Sequence, residues 1–209
     1  MIRVMLCDDH AVVRRGIRDT LQEATDIRVV AEAGSYPELR EALRRETPDV
    51  LLLDVDLPGR SGLEILAVLH EEASPVRTIM VSMYPEDQYA IRCLKAGAMG
   101  YLNKGGDPQA LVAAVRAVAQ GRKYITPEIA ELLANHLQAP EGGELHDALS
   151  ERELQTLKMI ASGKKLSQIA EALMISPKTV SVYRARVLEK LGLSNNAELT
   201  VYAIRNKLV

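Results

Sequence analysis

The sequence predicts an α/β fold: a doubly wound, five-stranded parallel sheet, followed by a small all-α helix-turn-helix domain of four helices. Three observations predict it. Short apolar, β-branched runs begin near Ile2, Ile27, Val50, Val76 and Met99, at steps of 25, 23, 26 and 23 residues, with helical periodicity between them. The composition changes after Gly121, and Gln138-Ala139-Pro140-Glu141-Gly142-Gly143-Glu144 has the Pro, Gly and polar content of a linker. Beyond it the chain reads as helix, without β-branched alternation.

Each element follows from its residues. After the first run, Val12, Ile17 and Leu21 are expected to pack one helix face. Leu39, Leu43 and Ala42 define the next helix, and Leu63, Leu66 and Leu69 a third. Val50-Leu51-Leu52-Leu53 is apolar throughout, as a central strand covered on both faces should be. Leu111, Val112, Val115, Val118 and Ala119 then fall at i, i+1, i+4, i+7 and i+8 of a last helix. Strands alternating with helices at this spacing imply right-handed βαβ units. Thr126 and Pro127 open a helix running to His136. Ser150-Glu151-Arg152-Glu153 reads as a capping box. Helices are expected at about 151–162, 167–173, 177–191 and 196–206, with Gly163 and Gly192 at C-terminal ends. The predicted organisation is therefore a domain over 1–121, a linker helix and flexible linker over 122–144, and a helical domain over 145–209.

Composition narrows the function. The 209 residues carry 26 basic and 28 acidic side chains and 47% hydrophobic residues, ample for a buried core. No apolar run approaches the roughly 18 residues of a membrane span, and the N-terminus lacks a signal-peptide pattern. Two cysteines, Cys7 and Cys93, lie far apart without metal-ligand spacing, which favours a reducing, cytoplasmic setting. With seven Tyr and neither Phe nor Trp, single-strand binding by stacked bases is disfavoured. The net charge of −2 hides an asymmetry. Residues 1–144 hold 16 basic and 22 acidic side chains, net −6, while residues 145–209 hold 10 and 6, net +4. A basic C-terminal part fits contact with phosphates, or simply a solvated helical face; an acidic first part could host a cation.

In an open α/β sheet, ligands gather outside the carboxyl ends of the strands. Here those ends carry Asp8-Asp9, Asp54, Ser82 and Asn103-Lys104. Taken singly, the Asp pair could cap a helix, Ser82 a turn, and Lys104 could be a surface lysine; their joint occurrence at strand ends argues otherwise. Oxygen ligands only, with no His or Cys among them, point to a hard ion such as Mg²⁺. A carboxylate beside such an ion can act as a nucleophile toward phosphorus, with lysine and serine steadying the transferred oxygens.

Asp8-Asp9-His10, Leu52-Leu53-Asp54-Val55-Asp56-Leu57-Pro58-Gly59, Val81-Ser82 and Gly97-Ala98-Met99-Gly100-Tyr101-Leu102-Asn103-Lys104 together resemble a response-regulator receiver domain of flavodoxin-like fold. The resemblance implies that Asp54 accepts a phosphoryl group from a sensor histidine kinase. It also implies that Mg²⁺ is held by Asp9, Asp54 and the Asp56 backbone carbonyl, with Asp8 acting mostly through water. Ser82 and Lys104 would contact the phosphoryl group, and Tyr101 would be the aromatic that swings inward as Ser82 is drawn toward it. Such a chain is a switch rather than an enzyme, limited to phosphotransfer onto itself and its slow reversal. Asn103 stands where an apolar residue is usual. The Asp54-Val55-Asp56 stretch also resembles the DxD strand of haloacid-dehalogenase-type phosphatases. That class places DxD on an early strand and its metal-binding acids after the lysine, where this domain offers only Asp107.

In the helical part, Leu166–Leu173, Met174-Ile175-Ser176-Pro177 and Lys178-Thr179-Val180 form a helix-turn-helix pattern. Val180, Val187 and Leu191 share one face of the second helix, opposite Lys178, Val182, Ala185, Arg186 and Glu189. A helix with a packed back and a polar front is what enters a major groove; the alternative is a bundle with a partner-binding face. The segment resembles the LuxR-type DNA-binding domain, and the two domains together resemble the NarL/FixJ class, leaning toward its BvgA- and GacA-like members. By position, Lys178, Ser181, Val182 and Ala185 are expected in the groove, with Thr179, Arg184, Arg186 and Lys190 nearer phosphates. The expected partners are a sensor histidine kinase, double-stranded promoter DNA and, once phosphorylated, a second copy of the chain; no membrane is expected.

Overall fold

The computed structural model describes residues 1–138 and 145–209. Two compact units, Met1–Leu137 and Gln138–Val209, divide the chain. Of the expected linker Gln138–Glu144, Gln138 closes the preceding helix and residues 139–144 lie outside the described residues.

The first unit alternates strand and helix as the spacing predicts. Its elements are β1 (Ile2–Cys7), α1 (Ala11–Gln22), β2 (Ile27–Ala33), α2 (Tyr36–Arg45), β3 (Val50–Asp54), α3 (Gly62–Glu71), β4 (Arg77–Ser82), α4 (Glu86–Lys95), β5 (Gly100–Asn103) and α5 (Pro108–Ala119). The strands pair in the order β2-β1-β3-β4-β5, all parallel. The strand order reverses direction at β1, so β1 and β3 diverge into the crevice that such sheets offer to ligands. All five residues of β3 are buried, which explains its unbroken apolar run. Val4, Leu6, Leu52, Ile79, Val81 and Leu102 form one core with Ala114, Val115 and Val118 of α5 and Leu21 of α1. Right-handed crossovers put α2, α3 and α4 on the other face, toward which the alternate residues Met5, Leu51, Leu53 and Met80 point.

Val12 departs from expectation. It is 85% exposed, whereas Leu21 is buried and Val13 and Ile17 are half-buried. At 100° per residue Val12 lies about 140° from Ile17, so the stripe is 13-17-21 instead.

All but the last residue of the linker helix α6 (Pro127–Gln138) lies within the first compact unit, which therefore runs well past residue 121. Tyr124 pairs with the edge of β5, its amide donating to the Met99 carbonyl at 2.8 Å. Thr126 caps α6 through the Ile129 amide and donates to Glu86 of α4 at 2.9 Å, and Ile129 is fully buried. Sequence periodicity could not report these tertiary contacts.

The second unit contains a 3₁₀ turn (Leu145–Ala148) and helices α7 (Glu151–Ala161), α8 (Leu166–Leu173), α9 (Pro177–Leu191) and α10 (Asn196–Arg205). The Ser150–Glu153 capping box forms in both directions, and Ser176 accepts from the Thr179 amide at the start of α9. Gly192 ends α9 at φ 65°. The turn between α8 and α9 is made by Met174, a non-glycine residue at φ 54°. Among the described residues, no helix is long and apolar enough to cross a membrane. Both cysteines are buried, Cys7 in β1 and Cys93 in α4.

Candidate functional site

Parallel pairing brings the strand ends to one rim. Asp54 closes β3 opposite Val81 of β4, and Ser82 closes β4 opposite Asn103 of β5. The Lys104 amide then donates to the Ser82 carbonyl at 2.8 Å, while the Asp8 amide continues the β1–β2 ladder to Ala33 at 3.0 Å. From this frame the Lys104 ammonium reaches Asp54 Oδ2 at 2.6 Å and Asp8 Oδ2 at 2.7 Å. Its side chain is only 3% exposed.

The remaining groups sit around this triad. The Asp56 amide donates to Asp54 Oδ1 at 3.2 Å, and the His10 amide to Asp8 Oδ1 at 2.8 Å. Asp9 is more open, and its Oδ1 lies 2.7 Å from His10 Nδ1. Ser82 is buried and its Oγ accepts from the Tyr84 amide at 3.2 Å. Tyr101 is fully buried, pointing inward, and its hydroxyl donates to the Tyr84 carbonyl at 2.7 Å.

Charge crowding shifts the titrations. Burial, reinforced by Asp8, pushes the Asp54 carboxyl up to about 7 even though Lys104 pulls it down. Burial opposes the charge on Lys104, yet Asp54 and Asp8 hold its ammonium above the ordinary lysine value. Burial also pushes the Cys7 thiol up to about 12, with Asp54 and Asp8 adding to it.

These residues fit a hard divalent ion. One ligand atom each from Asp8, Asp9, His10 and Asp54 lies within 4.8 Å of all the others. Three of the four are carboxylates, the donor type that Mg²⁺ selects. One ammonium facing two buried carboxylates, with a third beside them, leaves negative charge that a cation would balance.

Three residues around the site were missed by sequence reasoning. Gly62, at the start of α3, packs so tightly that a Cβ there would lie 2.0 Å from the Asp54 carbonyl oxygen. Nothing in the sequence distinguishes it from an ordinary glycine beside the Ser61 cap. Arg14, one turn into α1, donates from Nη1 to the Asp8 carbonyl and sits near Glu32, pinning the β1–α1 connection. His10 adds a nitrogen to the acid pair, and its adjacency to Asp8-Asp9 was the available signal.

In the second unit, Val180, Val187 and Leu191 are buried on the back of α9, while Lys178, Ser181, Val182, Ala185 and Arg186 are exposed on its front. Thr179 is half-buried and shares a hydroxyl contact with Ser176. Two expected phosphate-facing side chains are engaged elsewhere. Arg184 donates to Asn196 of α10 at 2.6 Å, and Lys190 donates to buried Glu153 at 2.7 Å and to the Ala148 carbonyl at 3.1 Å. Burial pushes Glu153 up, but Lys190 and the Ser150 amide outweigh it and hold its carboxyl below the ordinary glutamate value.

An acidic crevice at the mouths of a parallel sheet, in one chain with a helix-turn-helix, defines a class, and known proteins of that class match it. Residues 4–116 match the response regulator receiver domain, and residues 147–203 match the bacterial regulatory proteins of the luxR family. The chain belongs to the NarL/FixJ response regulators: it is a two-component transcriptional regulator with a LuxR-type DNA-binding domain. Among its relatives are the response regulator UvrY of Escherichia coli (strain K12) and the response regulator GacA of Pseudomonas protegens. UvrY is 42% identical over 209 residues, covering 100% of this chain and 96% of the relative. GacA is 41% identical over 209 residues, covering 100% and 98%. The expected leaning toward GacA-like members is thereby met. Solved structures agree: RcsB of Salmonella typhimurium aligns at 26% identity and TM-score 0.61 over 97% of this chain and 98% of that one. An RcsB–DNA complex aligns at 26% identity and TM-score 0.60, covering 96% of each.

Proposed function

We propose that Asp54 is the phosphoryl acceptor of this regulator and that its modification controls DNA binding through α9. The observation carrying this reading is the Asp8–Lys104–Asp54 triad at 2.6–2.7 Å, buried at the strand mouths with Ser82 alongside. A sensor kinase phosphohistidine is the donor. An Asp54 carboxylate oxygen attacks phosphorus, the P–N bond breaks, its electron pair stays on the imidazole, and that nitrogen takes a proton from water. Asp9, Asp54 and the Asp56 carbonyl would hold Mg²⁺, with Asp8 behind water; the ion would supply positive charge to the phosphoryl oxygens. Lys104 is already held protonated and buried, so it can move from the carboxylates to a phosphoryl oxygen without a change in charge. The Ser82 hydroxyl offers a donor to another, and Tyr101 already fills the inward position.

Phosphorylation adds negative charge at the rim and re-poses the surface around β4 and β5. Two copies then pair, so that two α9 helices meet a symmetric promoter site. Lys178, Ser181, Val182 and Ala185 face base edges there, with Thr179 and Arg186 nearer the backbone, while Arg184 and Lys190 stay on Asn196 and Glu153. A cytoplasmic location follows from contact with promoter DNA. The phosphatase alternative is weakened by Asp107, whose carboxylate caps α5 through the Gln109 amide.

The test is intact mass after acetyl phosphate with Mg²⁺. One acid-stable, base-labile phosphoryl group is expected, and none in Asp54→Asn. Catalytic turnover of phosphomonoesters would turn the reading toward a phosphatase. Promoter affinity indifferent to the donor would leave a DNA binder with a vestigial first domain.

A further inference from the structure

Asn103 is the last residue of β5 and the register partner of Ser82. Its side chain reaches in two directions. Oδ1 accepts from the Gly105 amide at 2.8 Å, in the connection from β5 to α5. Nδ2 faces the Tyr84 carbonyl at 3.1 Å and the Met83 carbonyl at 3.4 Å, in the connection from β4 to α4. The Tyr84 carbonyl is the same acceptor that takes the Tyr101 hydroxyl, and the Tyr84 amide is the group that donates to Ser82 Oγ. One residue, Tyr84, thus links Asn103 and Tyr101 through its carbonyl to Ser82 through its amide. A carbonyl has two lone pairs, and two donors aimed at it fix its direction as one would not. An apolar side chain at 103 could make neither contact.

We propose that Asn103 is a positioning residue: it ties the β4–α4 connection to the β5–α5 connection, so that Ser82 is presented beside Asp54 and the acceptor for inward Tyr101 is already built. The inference rests on Asp54 being the phosphoryl acceptor. The Asn103 side chain bonds to backbone groups of Met83, Tyr84 and Gly105 and not to Asp8, Asp9 or Asp54, so its influence is expected on the rate of transfer and not on donor or ion binding. Losing the Nδ2 contacts should slow phosphorylation roughly three- to tenfold, the worth of one net hydrogen bond.

The experiment follows phosphorylation of the full chain by acetyl phosphate in Mg²⁺, with thermal unfolding of each variant recorded alongside. In Asn103→Ala the limiting rate should fall while the half-saturating donor and Mg²⁺ concentrations stay put. Asn103→Ser keeps an oxygen able to accept from the Gly105 amide but is too short to reach Tyr84, so it should be equally slow. Combining Asn103→Ser with Tyr101→Phe should slow transfer less than the product of the two separate effects, because both act through one carbonyl. Wild-type rates in Asn103→Ser would overturn the proposal, leaving only a local turn. Strictly multiplicative effects, or a shift confined to donor concentration, would overturn it as well. A wild-type chain that forms no adduct at all would instead remove the underlying reading of Asp54.

Discussion

The crevice of the first unit and the α9 face of the second are built on opposite plans. The crevice gathers side chains from four separate strand ends, buries them, and crowds like charges around one ammonium. The α9 face is one helix, with its apolar residues turned in and its polar ones left in water. The first exists only because the sheet register is right; the second needs little more than helical periodicity and a cap. Substitutions should therefore couple function to stability in the crevice and separate them on α9.

The largest effect is expected from Gly62→Ala. With the new Cβ set 2.0 Å from the Asp54 carbonyl oxygen, α3 must shift or β3 must bend. A loss of about 3 kcal/mol or more is expected, beyond ordinary overpacking. Calorimetry should show the first unit melting early and the second unchanged; an unaltered first transition would mean that α3 yields freely.

Next is Lys104→Met, which leaves two buried carboxylates facing each other. With the ion absent, Asp54 already favours its protonated form, since burial has pushed it up to about 7 from 3.8. A raised carboxyl contributes stability that is complete below the ordinary value and lost as pH rises through the folded one. Stability of the metal-free wild type should thus decline between about pH 4 and 7. Lys104→Met should steepen that decline, costing about 2–3 kcal/mol at pH 8 because a proton can relieve part of the strain. Mg²⁺ should raise the melting temperature more at pH 8 than at pH 5. Melting curves flat with pH in both proteins would refute the charge crowding.

Lys190→Met sharpens the comparison within the second unit. Pairing with Lys190 holds Glu153 low, so its contribution is present above the ordinary glutamate value and lost as pH falls. About 1 kcal/mol should disappear at neutral pH, discounted for the partial exposure of the lysine. The salt dependence of DNA binding should stay near wild type; a changed salt slope would put Lys190 on the phosphates after all.

Smallest is Lys178→Ala. Promoter affinity should drop a few-fold and the salt slope by at most about one charge, with melting untouched. Lost folding stability there would mean that α9 is not the independent reading surface its exposure describes.

The same contrast explains what could be read in advance. Strand starts, the apolar β3 and both limbs of the helix-turn-helix come from period and capping, which are local. Asp8, Asp9, Asp54, Ser82 and Lys104 were legible because strand ends of a parallel sheet must share a rim. Gly62 and Arg14 were not, since a close approach between backbones and a clamp on a carbonyl leave no periodic trace. Val12 is apolar but lies about 140° round the helix from Ile17, so its hydrophobicity alone misleads. Lys190 read as a free cation because its partner, Glu153, lies 37 residues upstream.

The two thiols supply a natural clock for one half of the molecule. Cys7 and Cys93 both belong to the first unit, and both are buried. With Cys7 held at about 12, hardly any reactive thiolate exists at that position while the sheet is closed. Alkylation by a maleimide should therefore proceed at the pace of opening of residues 1–137, and any ligand that tightens the crevice should delay it.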